Sequence, residues 1–451
     1  MKVYKFGGAS VRSAEGVRNL RHIVEDERGG LFVIVSAMGK TTNALETVVD
    51  HFMAGRREEA LAAFEVSVAY HNGIVEELFG GADVPASVSS SAPVSVPASV
   101  TALYDEARAV LASPTPAGSD FERWYDRIVS YGELLSTTIV SEYLNASGVA
   151  NRWVDMRECF ATDDRFKYAS VDMEATEIRL KAIVLSEALR GEGSASDTGG
   201  AGDAGGVNVF VGQGFIGASP AGETTTLGRE GSDYSAAVVA SALDAESVSI
   251  WKDVPGVLNA DPKIFPESTF IPELTYLDAI ELAFSGAQII HPKTIKPLQN
   301  KNIPLYVRPF GDKHAVGSVI REKIAAPVEV PILILKREQV LMTIRPRDYS
   351  FVLEEKMGDI FAVFERFGIK ANLVQTSAVS MSVSIDRTRH LDELAGALEA
   401  GGFAVRYNED MELLTVRGYT PECLQRYGRG PEVYLAQRTR RILRIVRPRT
   451  V

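Results

Sequence analysis

Lys5 stands near the end of a short strand pattern, Val3-Tyr-Lys-Phe6, immediately before Gly7-Gly8-Ala9-Ser10. A cation at the carboxyl end of a strand that should be buried is unusual. With a glycine turn and an amphipathic helix from about Ala14 behind it, it makes a place where an ammonium and backbone N–H groups can meet phosphate. A second such place is Thr226-Leu-Gly-Arg-Glu-Gly-Ser-Asp-Tyr-Ser235. This small-residue turn opens a helix whose apolar stripe is Ala236, Val239, Ala240 and Leu243. Ser232 is expected as its N-cap and Asp233 as its first-turn acid. Free N–H groups at such a helix start attract anions, and Arg229 adds a planar, permanently charged fork. Each feature has a plainer reading, a strand-end lysine reaching solvent or a capped surface helix. Glu133, on a long helix pattern from Phe121 to Ala146, would ordinarily be a solvated glutamate; its claim rests on its company.

The elements that must position these residues alternate between strand and helix. Leu31-Phe-Val-Ile-Val-Ser36 is a nearly unbroken apolar run, the mark of a parallel strand covered on both faces. It ends in Ala37-Met-Gly-Lys-Thr-Thr-Asn43. Gly39-Lys40-Thr41 lacks the spacing of a P-loop, and no G-x-G-x-x-G follows the first strand, so neither a Walker nor a dinucleotide fingerprint is present. Two helices are expected between about Asn43 and Gly80, a strand at Val149–Val154, a helix at Met173–Leu189 and a strand at Val207–Val211. Ser247–Trp251 and Ile303–Arg308 are further strands, with helices before and between them. Polar loops recur where strands end, Gly212-Gln-Gly-Phe-Ile-Gly217 and Lys252-Asp-Val-Pro-Gly256 among them, which is where open α/β sheets place ligands. Segments 83–100 and 191–206 are low in complexity and read as flexible insertions. From about Glu329 the order βαββαβ marks a ferredoxin-like unit. A further strand starts at Glu412, with too few residues after it for a comfortable second copy. Ile442, Leu443, Ile445 and Val446, among the arginines of 438–449, suggest a terminal edge strand.

Composition narrows the function classes. The chain of 451 residues carries 48 Lys and Arg against 59 Asp and Glu, a net charge of -11, with no domain-sized basic segment. Nucleic acid is excluded as a partner on that ground. No apolar run approaches membrane-spanning length, and no charged-then-apolar leader precedes the first strand. Cys159 and Cys423 are far apart, form no metal spacing and suit a reduced, cytoplasmic protein.

Seven strings in order carry a resemblance: Lys5-Phe-Gly-Gly-Ala-Ser10, Val35-Ser-Ala-Met-Gly39, Tyr131-Gly-Glu-Leu-Leu-Ser-Thr137, Gly212–Gly217, Thr226–Ser235, Lys252-Asp-Val-Pro-Gly256 with Asp261-Pro-Lys263, and Gly286-Ala-Gln-Ile-Ile-His-Pro292. Together they resemble the aspartate kinases over nearly the entire chain. The resemblance implies an amino-acid-kinase sandwich around a largely parallel sheet at 1–312, a linker at 313–330, an α+β ferredoxin-like ACT domain at 331–410 and a truncated second ACT segment at 411–451. It implies a monofunctional enzyme that transfers the γ-phosphoryl group of ATP to the β-carboxylate of L-aspartate, the entry step toward lysine, threonine and methionine. Lys5 and Asp233 are then the catalytic pair. Thr42, Glu133, Phe215, Arg229, Gly231 and Ser232 would form the aspartate pocket, with Arg229 on the α-carboxylate and Glu133 on the ammonium. ATP would lie against Lys5, Gly7, Gly8, Ser10, Lys252, Asp253, Leu258, Lys263, Gln288 and Ile289, with Mg²⁺ bridging its phosphates and no protein ligand assigned to the metal. A homodimer and feedback by lysine or threonine at the ACT region are the implied partners. Two departures stand out. Glu230 occupies a position that is glycine in most of the family, and is expected to point outward. Gln288 replaces a common lysine, for which Lys293 is the alternative.

Overall fold

The structure is a computed structural model that describes residues 1–27, 29–81, 95–114, 120–193, 208–287, 290–326, 328–348, 351–352, 354–428 and 432–449. The chain divides into two compact units. The first comprises Met1–Val257, Pro272–Ile280 and Ile290–Ala325, and the second Leu258–Ile271, Glu281–Ile289 and Ala326–Val451.

In chain order the first two-thirds runs β1 (Lys2–Phe6), α1 (Ala14–Val24), β2 (Leu31–Val35), α2 (Thr41–Met53), α3 (Arg57–Phe79), α4 (Ala98–Ala112), α5 (Phe121–Val129), α6 (Tyr131–Ala146), β3 (Arg152–Val154), α7 (Met156–Cys159), α8 (Met173–Gly193), β4 (Val209–Gln213), β5 (Ile216–Ala218), β6 (Thr224–Thr226), α9 (Gly231–Ala242) and β7 (Ser247–Lys252). It continues with β8 (Val257–Leu258), β9 (Phe270–Ile271), β10 (Glu273–Thr275), α10 (Tyr276–Phe284), α11 (Pro292–Asn300), β11 (Leu305–Pro309) and β12 (Ser318–Arg321).

Eight of these strands form one sheet in the order β10-β12-β11-β7-β1-β2-β4-β3, parallel except for the β11–β12 pair. Every residue of β2 is buried, as its unbroken apolar run requires. The helix α9 is buried along its whole length. Its Gly, Ser and Ala residues let its axis lie close to the sheet, and it packs on β1, β2 and β7. The segment 313–330, expected as a linker, supplies β12 to this sheet. The single helix expected from Phe121 to Ala146 is broken at Ser130 into α5 and α6.

The second unit adds β13 (Ile332–Pro346), α12 (Glu354–Arg366), β14 (Ala371–Ser377), β15 (Ser380–Asp386), α13 (Leu391–Ala400), β16 (Phe403–Arg417), α14 (Pro421–Tyr427), β17 (Leu435–Arg438) and β18 (Ile442–Pro448). Its antiparallel sheet has the order β14-β15-β13-β16-β18-β17. β13 and β16 are both 15 residues long and pair along their length, with a bulge between Lys336 and Leu341. On one side of that bulge Val340, Met342, Ile344, Ile360 and Phe364 belong to the core of the βαββαβ unit. On the other, Leu414, Val416, Leu443 and Ile445 form a separate cluster with Leu333, Leu335 and Leu424. The shortened second segment is therefore completed by residues that precede the first, so the two halves share their longest strands. β18 lies between β16 and β17, so the residues expected as a terminal edge strand are internal and β17 is the edge.

Candidate active site

The first unit gathers its charged side chains where β1, β2, β4 and β7 end. Lys5, 8% exposed, has apolar strands on both sides, so its counter-charge must come from the helix above. Asp233, in the first turn of α9, supplies it: Lys5 Nζ lies 2.6 Å from Asp233 Oδ1. Lys252, at the end of β7, approaches Asp233 Oδ2 at 3.7 Å. Burial alone would push the Asp233 carboxyl up, but the two ammonium groups outweigh it and hold it below the usual carboxylate range. One buried acid thus fixes two lysines, and the cluster keeps a net positive charge.

Two glycines allow the turns around this cluster to meet. A Cβ on Gly8 would stand 2.5 Å from the carbonyl oxygen of Ala37, and the Gly39 N–H donates to the Gly8 carbonyl at 2.9 Å, so the turns after β1 and β2 are docked backbone to backbone. A Cβ on Gly214 would fall 2.4 Å from Ser232 Cβ, so the turn after β4 lies directly on the start of α9. Phe215, in the left-handed region at φ 70°, donates its N–H to Ser235 Oγ at 2.9 Å, and its carbonyl accepts the Leu227 N–H at 2.9 Å.

Glu133 faces this cluster from α6. Its Oε1 accepts the Ala37 N–H at 3.3 Å, while its Oε2 is buried with no hydrogen-bond partner. Burial pushes its carboxyl up to about 8 against the opposing pull of the Ala37 N–H and the Lys5 charge.

Lys5, Thr42, Glu133, Phe215, Arg229, Gly231, Ser232, Asp233 and Lys252 line one cleft of about 550 Å³. Gly7, Gly8 and Ser10 form the turn behind Lys5; Gly7 is close enough that a Cβ there would sit 3.6 Å from Lys5 Nζ. Asp253 is exposed in the bend after β7. Leu258 and Lys263 belong to the second compact unit, and Gln288 and Ile289 lie outside the described residues. Lys293 donates to the Leu227 carbonyl at 3.3 Å and sits 4.5 Å from the Tyr234 ring centroid, so it braces the turn that carries Arg229.

Two expectations for this turn fail. Ser232 is not the N-cap: Glu230 occupies that position, with no side-chain cap bond, and Ser232 lies one residue inside the helix. Nor does Glu230 point outward. It lines the cleft, its Oε2 is buried without a partner, and its φ of 55° is the left-handed conformation that glycine adopts freely.

Glu46, Tyr125, Lys167 and Tyr168 also line the cleft and carried no signal in the sequence. The segment of Lys167 and Tyr168 is held there by Asp126, a fully buried acid that accepts the N–H groups of Lys167 and Thr226, each at 2.8 Å, and the Thr226 hydroxyl at 2.6 Å. Burial pushes Asp126 up to about 6 despite those donors. Lys167 then lies over the Tyr125 ring at 4.4 Å, and the Tyr125 hydroxyl donates to Glu46 at 2.7 Å. Lys5, Lys167, Arg229 and Lys252 make the cleft suited to a polyanion, with the carboxyl of Glu133 among them. Among the described residues no group of three or more His, Cys, Asp or Glu is placed to hold a metal ion, and no helix is long and apolar enough to cross a membrane.

Comparison with known proteins agrees in sequence and in fold. The amino acid kinase family model matches residues 1–309. The lysine-sensitive aspartokinase 3 of Escherichia coli (strain K12) is 32% identical over 395 residues, 86% of this chain and 78% of that protein. The aspartokinase of Chlamydia trachomatis is 28% identical over 403 residues, covering 89% and 82% of the two chains. The crystal structure of E. coli aspartokinase III in complex with aspartate and ADP (R-state) aligns with 99% of this chain and 96% of its own, at 28% identity and a TM-score of 0.77. The chain belongs to the amino acid kinase family and, within it, to the aspartokinases.

Proposed function

We propose that this cleft transfers the γ-phosphoryl group of ATP to the β-carboxylate of L-aspartate, giving ADP and 4-phospho-L-aspartate. A carboxylate oxygen forms the new bond to the γ-phosphorus while the bridge oxygen to the β-phosphate leaves. The nucleophile is already ionised at neutral pH, so the reaction needs positioning and charge neutralisation rather than a strong base. The observation that carries the reading is the pairing of opposite needs in one cleft: a buried, net-positive Lys5–Asp233–Lys252 cluster facing the unpartnered Oε2 of Glu133.

Lys5 meets the charge on the moving phosphoryl group, Lys252 neutralises the nucleotide phosphates, and Asp233 orients both lysines. Arg229 takes the α-carboxylate of aspartate as a bidentate partner and Glu133 takes its ammonium. Thr42, Phe215, Gly231 and Ser232 shape the pocket between them. Gly7, Gly8 and Ser10 offer the backbone and hydroxyl donors behind the phosphoryl group, and Asp253 lies on the nucleotide side. Mg²⁺ would travel with the nucleotide, because among the described residues no three acids, histidines or cysteines are gathered to hold it. The metal supplies charge neutralisation on the phosphates when bound.

The second unit is proposed as an ACT-type regulatory region that binds a feedback amino acid and mediates a homodimer. A related crystal structure, E. coli aspartokinase III in complex with lysine and aspartate (T-state), makes lysine the first effector to titrate. Threonine is the other effector proposed. The two free cysteines suit a reducing cytoplasm. ADP release measured with aspartate, glutamate and N-acetylglutamate as acceptors tests the substrate. Aspartate should be preferred by orders of magnitude in kcat/KM, and preference for either of the others would overturn the assignment.

A further inference from the structure

The strands that carry Lys5 and Lys252 have a second face. Side chains alternate along a strand, so with those lysines toward α9, Tyr4 of β1 and Trp251 of β7 point the other way. The register sets Tyr4 beside Ser249, Ser249 beside Tyr306, and Trp251 beside Arg308. These side chains line a cleft of about 530 Å³, with the end of α1 and residues 313–316 as its rim. That is room for a small molecule.

The polar groups of this cleft do not balance internally. Trp251 is 1% exposed and its indole Nε1 has no hydrogen-bond partner; Arg308 Nε is likewise buried without one. The Arg308 guanidinium lies over the Trp251 ring, 5.0 Å from its centroid. The two carboxylates of the cleft are engaged by its other lining groups: Glu27 accepts Lys2 Nζ at 2.9 Å and the Tyr4 hydroxyl, and Asp26 pairs with Lys313. Arg308 also hydrogen-bonds the Tyr4 side chain, which leaves its Nε without an acceptor. Among the described ion pairs none neutralises Arg308. Indole and guanidinium are donors only. The two unmet atoms, Trp251 Nε1 and Arg308 Nε, are thus both donors, one of them on a cation, and buried donors without acceptors cost free energy that a ligand oxygen would recover.

We propose that this reverse-face cleft binds a small oxyanion, a phosphate or carboxylate group, on Arg308 and Trp251. It is separate from the phosphoryl-transfer cleft and independent of the function assigned there. The three tryptophans permit a direct test. In a Trp124→Phe, Trp153→Phe background only Trp251 emits. Inorganic phosphate and succinate are titrated in parallel arms at constant ionic strength, with chloride as the control. A saturable change in emission is expected in at least one arm, and the arm that responds names the source of the oxyanion. Lys5→Ala should keep the response and Arg308→Ala should abolish it. Arg308→Lys, which keeps the charge without the fork or the stack, should weaken it at least about tenfold, and serves if the alanine variant does not fold. No saturable change in either arm, a response that survives Arg308→Ala, or one that disappears with Lys5→Ala would overturn the proposal.

Discussion

Replacing Glu133 with glutamine separates its charge from its shape. Burial raises this carboxyl from its ordinary value of 4.5 to about 8, so its neutral form is preferred at neutral pH. At pH 7 only about a tenth of the free enzyme has this carboxylate ionised, and the aspartate ammonium must pull the proton off before pairing. Each pH unit below about 8 therefore costs binding about 1.4 kcal/mol, or tenfold in affinity. The wild-type KM for aspartate should fall about tenfold per unit as pH rises from 6 toward 8, then level off. Glu133→Gln removes a hydrogen bond between charged groups, about 1.5–3 kcal/mol, so KM should rise about 10- to 100-fold at pH 8 while kcat changes little. Its KM should be nearly flat with pH. Stability moves with the same proton. An acid raised by burial contributes stability that is present below about pH 4.5 and lost as pH rises through about 8, so the variant's melting temperature should depend less on pH across that window. Steady-state kinetics from pH 6 to about 8.5, with ATP saturating, provide the assay. An unchanged pH slope in the variant would show that another group titrates, and the role given to Glu133 would be wrong.

Lys5→Ala should lower kcat by about a thousandfold or more with a much smaller change in either KM, because its charge acts on the transition state; nearly normal kcat would refute that. Arg229→Ala should raise the aspartate KM about 100-fold and leave the ATP KM within a few fold; the reverse pattern would move Arg229 to the nucleotide. Glu230→Gly relieves a left-handed non-glycine residue and an unpartnered buried carboxylate oxygen, against a loss of chain stiffness when unfolded. It should stabilise the protein by about 1 kcal/mol in urea denaturation and lower the aspartate KM, and a less stable variant would contradict the reading.

What could be read from the chain follows from which physical signals are local. The apolar run of Leu31–Val35 and the small-residue stripe of α9 are periodic, and both elements form where the pattern puts them. Lys5, Arg229 and Asp233 stand out because charges at the ends of buried elements are costly unless used. β12 escaped because Ser318-Val-Ile-Arg321 is too short to show a period. The continuity of β16 was hidden by Asn408-Glu-Asp410, a turn-like string that the strand absorbs as a bulge with Asp410 at φ 55°. The cleft-facing Glu230 is not legible in the sequence, because a left-handed φ leaves no mark on a glutamate's sequence context. Lys167 and Tyr168 are held at the cleft by Asp126, a hydrogen-bond hub that reaches segments 41 and 100 residues away in the chain, and by the Ala169 N–H on the Thr226 carbonyl at 2.9 Å. Tertiary contacts of that kind have no local pattern to find.

The β-carboxylate of aspartate is the atom group assigned to accept the phosphoryl group. Incubation with ATP, Mg²⁺, L-aspartate and hydroxylamine traps the acyl phosphate as a hydroxamate whose position can be identified by mass spectrometry. Aspartate β-hydroxamate should form in step with ADP and vanish in Lys5→Ala. ADP formation without hydroxamate, or hydroxamate at the α-carboxyl, would contradict the account.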